Sequence, residues 1–253
     1  MNRLWTRALP GLFAAVLLAG SAGTARAAAE VHKFNLVINA SPSQIVAGDF
    51  NDAIDGYNHL VLIPRGLESL DKIRYGWFFG AELRYLIRPN FALCAGIDQM
   101  RSRTRREYSF SPLDNLSVEA EVLTVPIHLG GTYYLAPYNQ GDFQARAYIG
   151  GGLLSLTDTH ASITTVVALG STPSQPQGTF ESLAAGDAPG WYTEFGAHMF
   201  FAVRYSVILG AIYRSAVVGT TAQYFNEQLL FTGSPQKIDV GGAGARMSFA
   251  IGF

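Results

Sequence analysis

The sequence has a single cysteine, Cys94, so it cannot form an intramolecular disulfide bond. It also lacks an excess of either charge, with 18 basic and 19 acidic residues in 253. Nucleic-acid binders usually carry a clear positive excess, so we expect no nucleic-acid partner. Beyond residue 27, no apolar run approaches the roughly 18 residues that a membrane-spanning helix needs. Stability, and any insertion into a membrane, must therefore depend on something other than disulfides or apolar helices.

The first 27 residues have the pattern of a secretory signal peptide. Arg3 and Arg7 precede an uncharged apolar stretch, and Ala25–Ala27 fits a small-x-small cleavage site. An uncleaved anchor helix is the alternative, although the apolar stretch is short for one. We predict a cleaved signal peptide at 1–27 and one domain at 28–253, which then has 15 basic and 19 acidic residues.

The end of the sequence alternates between two kinds of residue. Every second position is apolar, at Ala243, Ala245, Met247, Phe249, Ile251 and Phe253. The positions between them are mostly small, with one charge at Arg246. A period of two is the side-chain period of a β-strand. An apolar outer face opposite a small or charged inner face is typical of a transmembrane β-barrel strand.

Similar alternation elsewhere predicts seven further strands. They are Val31–Ala40, Arg74–Ile87, Phe91–Thr104, Val118–Ala136, Phe143–Thr159, Gly190–Arg204 and Val207–Val218. The connections alternate between short and long, as the periplasmic turns and external loops of an even-stranded barrel do. The long ones are Ser41–Lys72, Phe110–Ser117, Ala161–Ala188 and Thr220–Lys237.

The pattern predicts an all-β fold, an antiparallel transmembrane β-barrel. Eight strands is the simplest number, and ten remain possible if the first loop or Ser162–Leu169 contains a hairpin. Pro126 interrupts the fourth strand, which predicts a bulge or local break because proline lacks a ladder donor. A soluble lipocalin-like barrel is the structural rival, and it would place the apolar residues inside.

Two segments resemble a known family. The closing strand that ends at Phe253 and the run Val125–Tyr134 resemble strands of small outer-membrane β-barrel proteins, such as the OmpA transmembrane domain, OmpX and OmpW. The resemblance implies export to the outer membrane of a Gram-negative bacterium. It also implies that Phe249, Ile251 and Phe253 form a signal for the barrel-insertion machinery. It indicates little about function, because such barrels perform several tasks on one scaffold.

Charged residues on the inward faces are the first candidate site. They are Glu82, Arg84, Asp98, Arg146, Glu194, Arg204 and Arg246, together with His128 and His198. Unpaired charges in a narrow lumen would be costly, so we expect ion pairs. The network could be a gate that opens a small polar channel, or a static plug. We favour the plug, because an eight-stranded barrel has room inside only for side chains.

A second candidate is a row of arginines beyond the apolar part of the third strand. Arg101, Arg103 and Arg105 share its outward face, where they could bind lipopolysaccharide phosphates, since arginine pairs well with phosphate. The alternative is an ordinary solvated strand tip.

The run His160-Ala161-Ser162 resembles the His-x-Ser pair of outer-membrane lipid A deacylases, with Asp158 and Glu194 as candidate orienting acids. Such pairs are common by chance, and we assign no catalytic residues. The sequence has no metal-spaced His/Cys cluster and no cofactor motif, so we expect neither a metal nor a cofactor.

These observations predict a barrel with a structural or surface-interaction role through its external loops. A narrow pore gated by lumen salt bridges is the alternative, and a lipid A-modifying enzyme is a third possibility. We expect outer-membrane lipid and lipopolysaccharide as surroundings, and a monomer, because a closed barrel has no edge that requires a partner.

Overall fold

The computed structural model describes residues 32–111, 114–140, 143–168, 175–184, 187–225, 228–231 and 236–253. The predicted signal peptide, residues 1–27, lies outside these ranges. Most of the described residues lie in β-strands. The strands are β1 (Phe34–Gln44), β2 (Tyr75–Arg88), β3 (Phe91–Ser109), β4 (Asn115–Tyr134), β5 (Tyr138–Gln140), β6 (Phe143–Ala168), β7 (Gln175–Ala184), β8 (Ala188–Phe200), β9 (Tyr205–Phe225), β10 (Gln228–Phe231), β11 (Gln236–Asp239) and β12 (Gly242–Gly252).

Eight of the strands form a closed antiparallel ring, in the order β1, β2, β3, β4, β6, β8, β9, β12 and back to β1. The closing pair is β1 with β12, where Val37 lies opposite Ala250. The prediction of an eight-stranded barrel is confirmed. One end of the barrel has short turns, at 89–90 and 201–204, and we call it the short-turn end. The opposite end, with the longer connections, is the long-connection end.

The barrel wall alternates as the sequence indicated. On β2, Phe78, Glu82 and Arg84 are buried inside, whereas Leu83 and Tyr85 are exposed outside. Large apolar side chains are exposed around the whole ring, for example Phe34, Leu129, Leu153, Phe195, Leu209 and Met247, of which Leu153 is 71% exposed. We call this band the belt. The lipocalin-like alternative is wrong, because the belt faces outward and the charges face inward.

Three neighbouring strands extend well beyond the belt. β3, β4 and β6 have 19, 20 and 26 residues, whereas a tilted strand needs about 9–11 to cross a bilayer. β7 pairs with the far part of β6 and then with β9, so the wall continues upward outside the ring. We call this extension the upper wall. The segment 161–188 was expected to be a loop, and that prediction is wrong where β6 and β7 pair, since its Ile, Val and Thr residues favour strand.

The connection between β1 and β2 folds into the mouth of the barrel. It contains helix α1 (Asp49–Tyr57), a π-helical turn (Asn58–Leu62) and a 3₁₀ turn (Ile63–Arg65). We call residues 45–74 the cap. Its buried apolar side chains pack in one cluster with inward residues of the upper wall, and they include Phe50, Ile54, Leu62, Leu70 and Ile73. Residues 67–74, between the 3₁₀ turn and β2, have no regular secondary structure.

Polar contacts fix the cap on itself and on the wall. The Asn58 side chain bonds both backbone groups of Leu70, at 2.9 and 2.8 Å. Arg106 of β3 forms ion pairs with Glu68 and with Asp71, the latter at 3.1 Å. The hydrogen bond that Arg106 donates to the Asp71 carboxylate, together with the negative charges of Asp71 and Glu68, raises the pKa of the Arg106 guanidinium above its ordinary value. The cap is thus held to the upper wall by charges as well as by apolar packing.

Pro126 lies at a defect in the ladder, as predicted. The pairing of β3 with β4 is interrupted between Ile97↔Ile127 and Met100↔Thr124. On the other side, the register of β4 with β6 shifts between Leu123 and Val125. Asp158, in the extra part of β6, has a positive φ of 49°. The prediction of a bulge or local break at Pro126 is confirmed.

Among the described residues, none of the helices has the length and apolarity needed to cross a bilayer.

Candidate functional site

The middle of the barrel holds four charged side chains that pair in a closed cycle. They are Glu82 and Arg84 of β2, Glu194 of β8 and Arg246 of β12, and we call them the charge cluster. Arg84 donates to Glu82 and, at 3.1 Å, to Glu194. Arg246 donates to Glu194 and, at 3.0 Å, to Glu82. Each carboxylate therefore accepts from both guanidiniums, and the four formal charges cancel.

Each member of the charge cluster is at most 2% exposed. Buried ions are tolerated only when excellent geometry and further hydrogen bonds offset the loss of hydration. The cluster has such bonds, because Arg84 also donates to the Tyr134 hydroxyl at 3.0 Å. His128 Nε2 lies 3.1 Å from Glu82 Oε2, and its Nδ1 lies 3.6 Å from Asp98 Oδ2. Asp98 in turn accepts from the Asn39 amide at 2.9 Å.

Glycines on the inner wall make room for these groups. A Cβ at Gly150 would lie 3.0 Å from both Glu194 Oε1 and Thr132 Oγ1. A Cβ at Gly96 would lie 2.6 Å from His128 Nε2. The long polar side chains thus cross the lumen over positions that have no side chain of their own.

Little space remains inside. A cavity of about 10 Å³ lies above the charge cluster, lined by residues that include Asn39, Asp98, His128 and Arg214. Such a volume holds about a single water molecule. Asn39 Oδ1 is buried without a partner among the described residues, and it lines this cavity. Towards the short-turn end, a second apolar cluster closes the lumen, with Tyr134, Tyr148 and Ile208 among its members.

Three other predicted lumen residues lie towards the short-turn end. His198 is buried, with Nε2 2.7 Å from Ser206 Oγ and Nδ1 3.3 Å from Tyr134 Oη. Arg146 is half-buried and donates to the Pro89 carbonyl at 2.6 Å. Arg204 is exposed, and its predicted inward position is wrong. β8 ends at Phe200, so strand alternation cannot be extended to residue 204, which lies in a turn.

Arg214 of β9 is a buried lumen residue that the sequence reasoning missed. Its guanidinium lies 4.0 Å from the centre of the Phe78 ring, and it donates to Ser43 Oγ at 3.2 Å. The signal was present in the sequence. In the predicted strand Val207–Val218, alternation places Leu209, Ala211 and Tyr213 on the outward face, so Arg214, the neighbour of Tyr213, had to face inward.

The predicted arginine row does lie on the outer face of the upper wall. Arg101 forms an ion pair with Glu121, and Arg105 forms one with Glu107. Arg103 has neither a hydrogen bond nor an ion pair within the described part of the chain. The row is therefore partly neutralised by glutamates on β3 and β4.

The His-x-Ser pair also lies on the upper wall. His160 Nε2 is 3.2 Å from Asp158 Oδ1. A serine nucleophile needs a base within hydrogen-bond reach, and the described contacts include no hydrogen bond between Ser162 and His160. Glu194, the other acid considered, is occupied in the charge cluster.

The closing strand places its apolar residues on the outside. Phe249 stacks on Tyr205, with ring centroids 5.8 Å apart, and Phe253 is 63% exposed. Ile251 is half-buried on the same face. Within the described residues there is no group of His, Cys, Asp and Glu side chains that could hold a metal ion.

No protein-family model matches the chain, and no curated relative does. Several solved structures are similar to it, and they are small outer-membrane β-barrels, the family that the sequence resembles. The outer membrane protein OprG from Pseudomonas aeruginosa is 11% identical, with a TM-score of 0.43 over 89% of this chain and 98% of OprG. The N-terminal β-barrel domain of OprF from Pseudomonas aeruginosa is 12% identical, with a TM-score of 0.36 over 88% of this chain and 100% of that domain. Ail, the attachment invasion locus protein of Yersinia pestis, is 14% identical, with a TM-score of 0.30 over 88% of this chain and 98% of Ail.

Proposed function

We propose that the protein is a sealed barrel of the Gram-negative outer membrane, which acts through its long-connection end and not as a pore. The observation that supports this proposal is the charge cluster, whose four buried side chains pair across the lumen. A structural or surface-interaction role needs no open lumen, whereas a pore does.

Opening the lumen would require these pairs to separate. Breaking a buried ion pair leaves an uncompensated charge, which costs about 3–5 kcal/mol. The strands are hydrogen-bonded neighbours in a closed ring, so the wall cannot widen to make room. The pairs therefore act as a plug in this proposal, and the narrow gated pore remains the alternative.

The cap is a second obstruction in series with the charge cluster. Phe50 and Ile54 are fully buried in the mouth of the barrel. A solute arriving from the long-connection end would have to displace these apolar side chains before it reached the charges. Two barriers of opposite chemistry favour a closed state for both polar and apolar solutes.

The location in the proposal follows from the belt and from the sequence. The exposed apolar band suits a bilayer, and the upper wall above it has an outer face rich in charged residues. The export pattern at 1–27 favours a site beyond the inner membrane. We place the short-turn end in the periplasm and the upper wall outside the cell. Phe249, Ile251 and Phe253 are proposed to be read by the barrel-insertion machinery.

Single-channel conductance tests the sealed lumen. The refolded wild-type protein in a planar bilayer is expected to be silent. A variant in which residues 49–72 are replaced by a short Gly-Ser linker should also be silent, because the charge cluster remains. Adding Glu82→Ala and Arg84→Ala to the linker variant, together with Tyr134→Ala and Tyr148→Ala in the apolar cluster towards the short-turn end, should produce openings. Arg88→Gln, at the short-turn rim, serves as a control for charge loss, and steady openings of the wild type would refute the proposal.

A lipid-hydrolysing function is the second candidate, favoured by the contact between His160 and Asp158. It predicts release of a fatty acid when the protein is incubated with lipid A, and loss of that release in Ser162→Ala. Thr164→Ala, two residues along the same strand, is the matched control. Unchanged lipid A with the wild-type protein would reject this candidate.

A further inference from the structure

The short-turn end of the barrel carries positive charges that no acidic side chain balances within the described residues. Four cations lie there, and we call them the basic rim: Lys33 before β1, Arg88 at the end of β2, Arg146 on β6 and Arg204 in the turn before β9. Every described Asp and Glu lies in the middle of the barrel or towards the long-connection end. Glu30 and Asp142, which precede β1 and β6 in the sequence, lie outside the described residues, and they can neutralise at most two of the four cations.

The long-connection end has the opposite balance of charge. Acidic residues outnumber basic ones there in the described ranges. Several exposed cations at that end have an acidic partner, as Lys72 has in Asp55 at 2.7 Å and Arg101 has in Glu121. No member of the basic rim forms an ion pair within the described part of the chain. Unpaired charges of one sign attract ligands of the opposite sign, over a Debye length of about 8 Å at physiological salt.

Arg146 has a defined place at the mouth of the barrel. Its side chain extends from β6 to the turn between β2 and β3, where Nη1 donates to the Pro89 carbonyl at 2.6 Å. The residue is half-buried, and its Nε is buried without a hydrogen-bond partner among the described residues. Partial burial of a charge that has no carboxylate partner is costly. A carboxylate from outside, bound at the exposed part of the guanidinium, would offset that cost through charge-assisted hydrogen bonds.

The positions of the cations indicate that their ligand comes from the aqueous phase. Arg146 shares the inward face of β6 with the buried Tyr148, and Arg204 lies in a turn. Tyr205, the residue after Arg204, is exposed on the outer face and stacks on a neighbouring ring of the belt. The aromatic side chains therefore contact the bilayer, and the basic rim surrounds the mouth below them.

The spacing of the cations sets the size of the ligand. The β2–β3 and β8–β9 turns are four strand positions apart in the ring of eight, so Arg88 and Arg204 lie on opposite sides of the mouth. A small anion such as phosphate cannot contact both sides at once. An extended chain that carries several carboxylates can cross the mouth and contact both.

We propose that the basic rim binds an acidic polypeptide segment of a periplasmic protein. One carboxylate of the segment binds Arg146, and others bind the exposed cations on the two sides of the mouth. The inference rests on the periplasmic placement of the short-turn end in the proposed function, but not on whether the lumen is sealed. It gives the short-turn end a partner of its own, separate from any partner of the long-connection end.

Fluorescence anisotropy of a labelled peptide tests the proposal, with the folded protein in nanodiscs of phosphatidylcholine. The peptide carries about six glutamates between Gly-Ser spacers, and it should bind at low ionic strength and be released by salt. Arg146→Gln should weaken binding by about tenfold, the value of one charge-assisted contact. Arg204→Gln, at an exposed cation, should weaken it by about two- to fivefold.

The controls separate the basic rim from charge in general. Arg65→Gln removes an exposed arginine of the cap, at the opposite end of the barrel, and should change binding less than twofold. Arg146→Lys keeps the charge and should retain most of the binding. Resistance of each variant to unfolding in cold detergent confirms that it is folded.

Three outcomes would overturn the proposal. The first is equal binding of a peptide in which glutamine replaces every glutamate. The second is a loss in Arg146→Gln and Arg204→Gln that is no larger than the loss in Arg65→Gln. The third is the absence of peptide binding, with phosphatidylglycerol retained by the wild type in native mass spectrometry and lost in Arg146→Gln/Arg204→Gln, which would assign the basic rim to the membrane surface.

The proposed function fails in a different experiment. Cleavage at Lys33 by a protease added outside intact cells would refute the periplasmic placement of the short-turn end, without changing peptide binding to the purified protein. Steady openings of the wild type would refute the sealed lumen and also leave peptide binding unchanged.

Discussion

The two halves of the barrel interior are filled in different ways. From the middle of the barrel towards the short-turn end, the wall fills the lumen with its own side chains, first with charged ones such as Glu82 and Arg246, which meet at 3.0 Å, and then with the apolar cluster that includes Tyr134 and Tyr148. Towards the long-connection end, the lumen is filled by a separate segment, the cap, which inserts Phe50 and Ile54. The difference follows from chain length. The short turns contain too few residues to fold into the lumen, so side chains of the wall must fill it.

The charge cluster and the cap are also attached to the ring of strands in different ways. The charge cluster joins β2, β8 and β12, so it forms only when distant strands have closed. The cap belongs to a single connection and is held by apolar packing with a few polar contacts. We therefore expect the charge cluster to unfold only with the barrel, and the cap to be able to detach while the ring persists.

The largest effect is expected from breaking the charge cluster. Glu194→Gln keeps the shape of the side chain but leaves two buried arginines with one carboxylate. The free energy of unfolding should fall by about 3–5 kcal/mol. Urea unfolding in lipid vesicles, followed by tryptophan fluorescence, measures it. In Glu121→Gln, which breaks an exposed ion pair, the free energy of unfolding should fall by about 1 kcal/mol or less. Equal losses in the two variants would contradict the conclusion that the buried ion pairs of the charge cluster stabilise the barrel more than the exposed pair does.

A large but local effect is expected in the cap. Phe50→Ala removes a fully buried ring, a change worth about 3–5 kcal/mol in a well-packed core. Because the cap can detach separately, the loss should appear as faster proteolysis within residues 49–72, with a smaller change in the unfolding of the ring. Leu60→Ala is the matched control, since Leu60 is 79% exposed. Equal proteolysis of the two variants would show that the cap does not depend on this packing.

A smaller effect is expected at the boundary between the halves. Arg214 and Arg246 are both buried, but only Arg246 forms ion pairs with carboxylates in the described part of the chain. Arg214→Met loses a hydrogen bond and a cation–π contact, together worth about 1–3 kcal/mol, and it gains from the removal of an unpaired buried charge. We expect a net loss below about 2 kcal/mol, less than in Arg246→Met, by the same urea measurement. A larger loss in Arg214→Met than in Arg246→Met would mean that burial, and not ion pairing, determines how much these arginines contribute to the free energy of unfolding.

Much of the barrel could be predicted from the sequence because a strand has a fixed side-chain period. Alternation alone placed Glu82, Arg84, Glu194 and Arg246 inside. It failed at Arg204 because alternation carries no information about where a strand ends. It could also have identified Arg214, which was omitted although its neighbour was assigned outward.

The two-residue alternation that identifies strands could not predict the cap. Its buried residues Phe50, Ile54, Asn58 and Leu62 recur every four positions, which is a helical spacing. Polar residues and glycines surround them, so the segment resembles a loop. Whether such a segment packs into the mouth depends on the space that the wall leaves, and that is a property of the whole barrel. The pairing partners within the charge cluster could not be predicted from the sequence either, because they depend on how the whole barrel closes.

The smallest effect is expected on the outer face, where charges pair in water. Arg101→Gln breaks the ion pair with Glu121, in which the Arg101 side chain is 42% exposed. Exposed pairs contribute about 0.2–1 kcal/mol and are screened by salt. The urea midpoint should therefore shift slightly at low ionic strength and not measurably at 1 M salt, where the Debye length is about 3 Å. A loss at 1 M salt as large as that of Glu194→Gln would remove the distinction between the paired charges inside the barrel and those on its outer face.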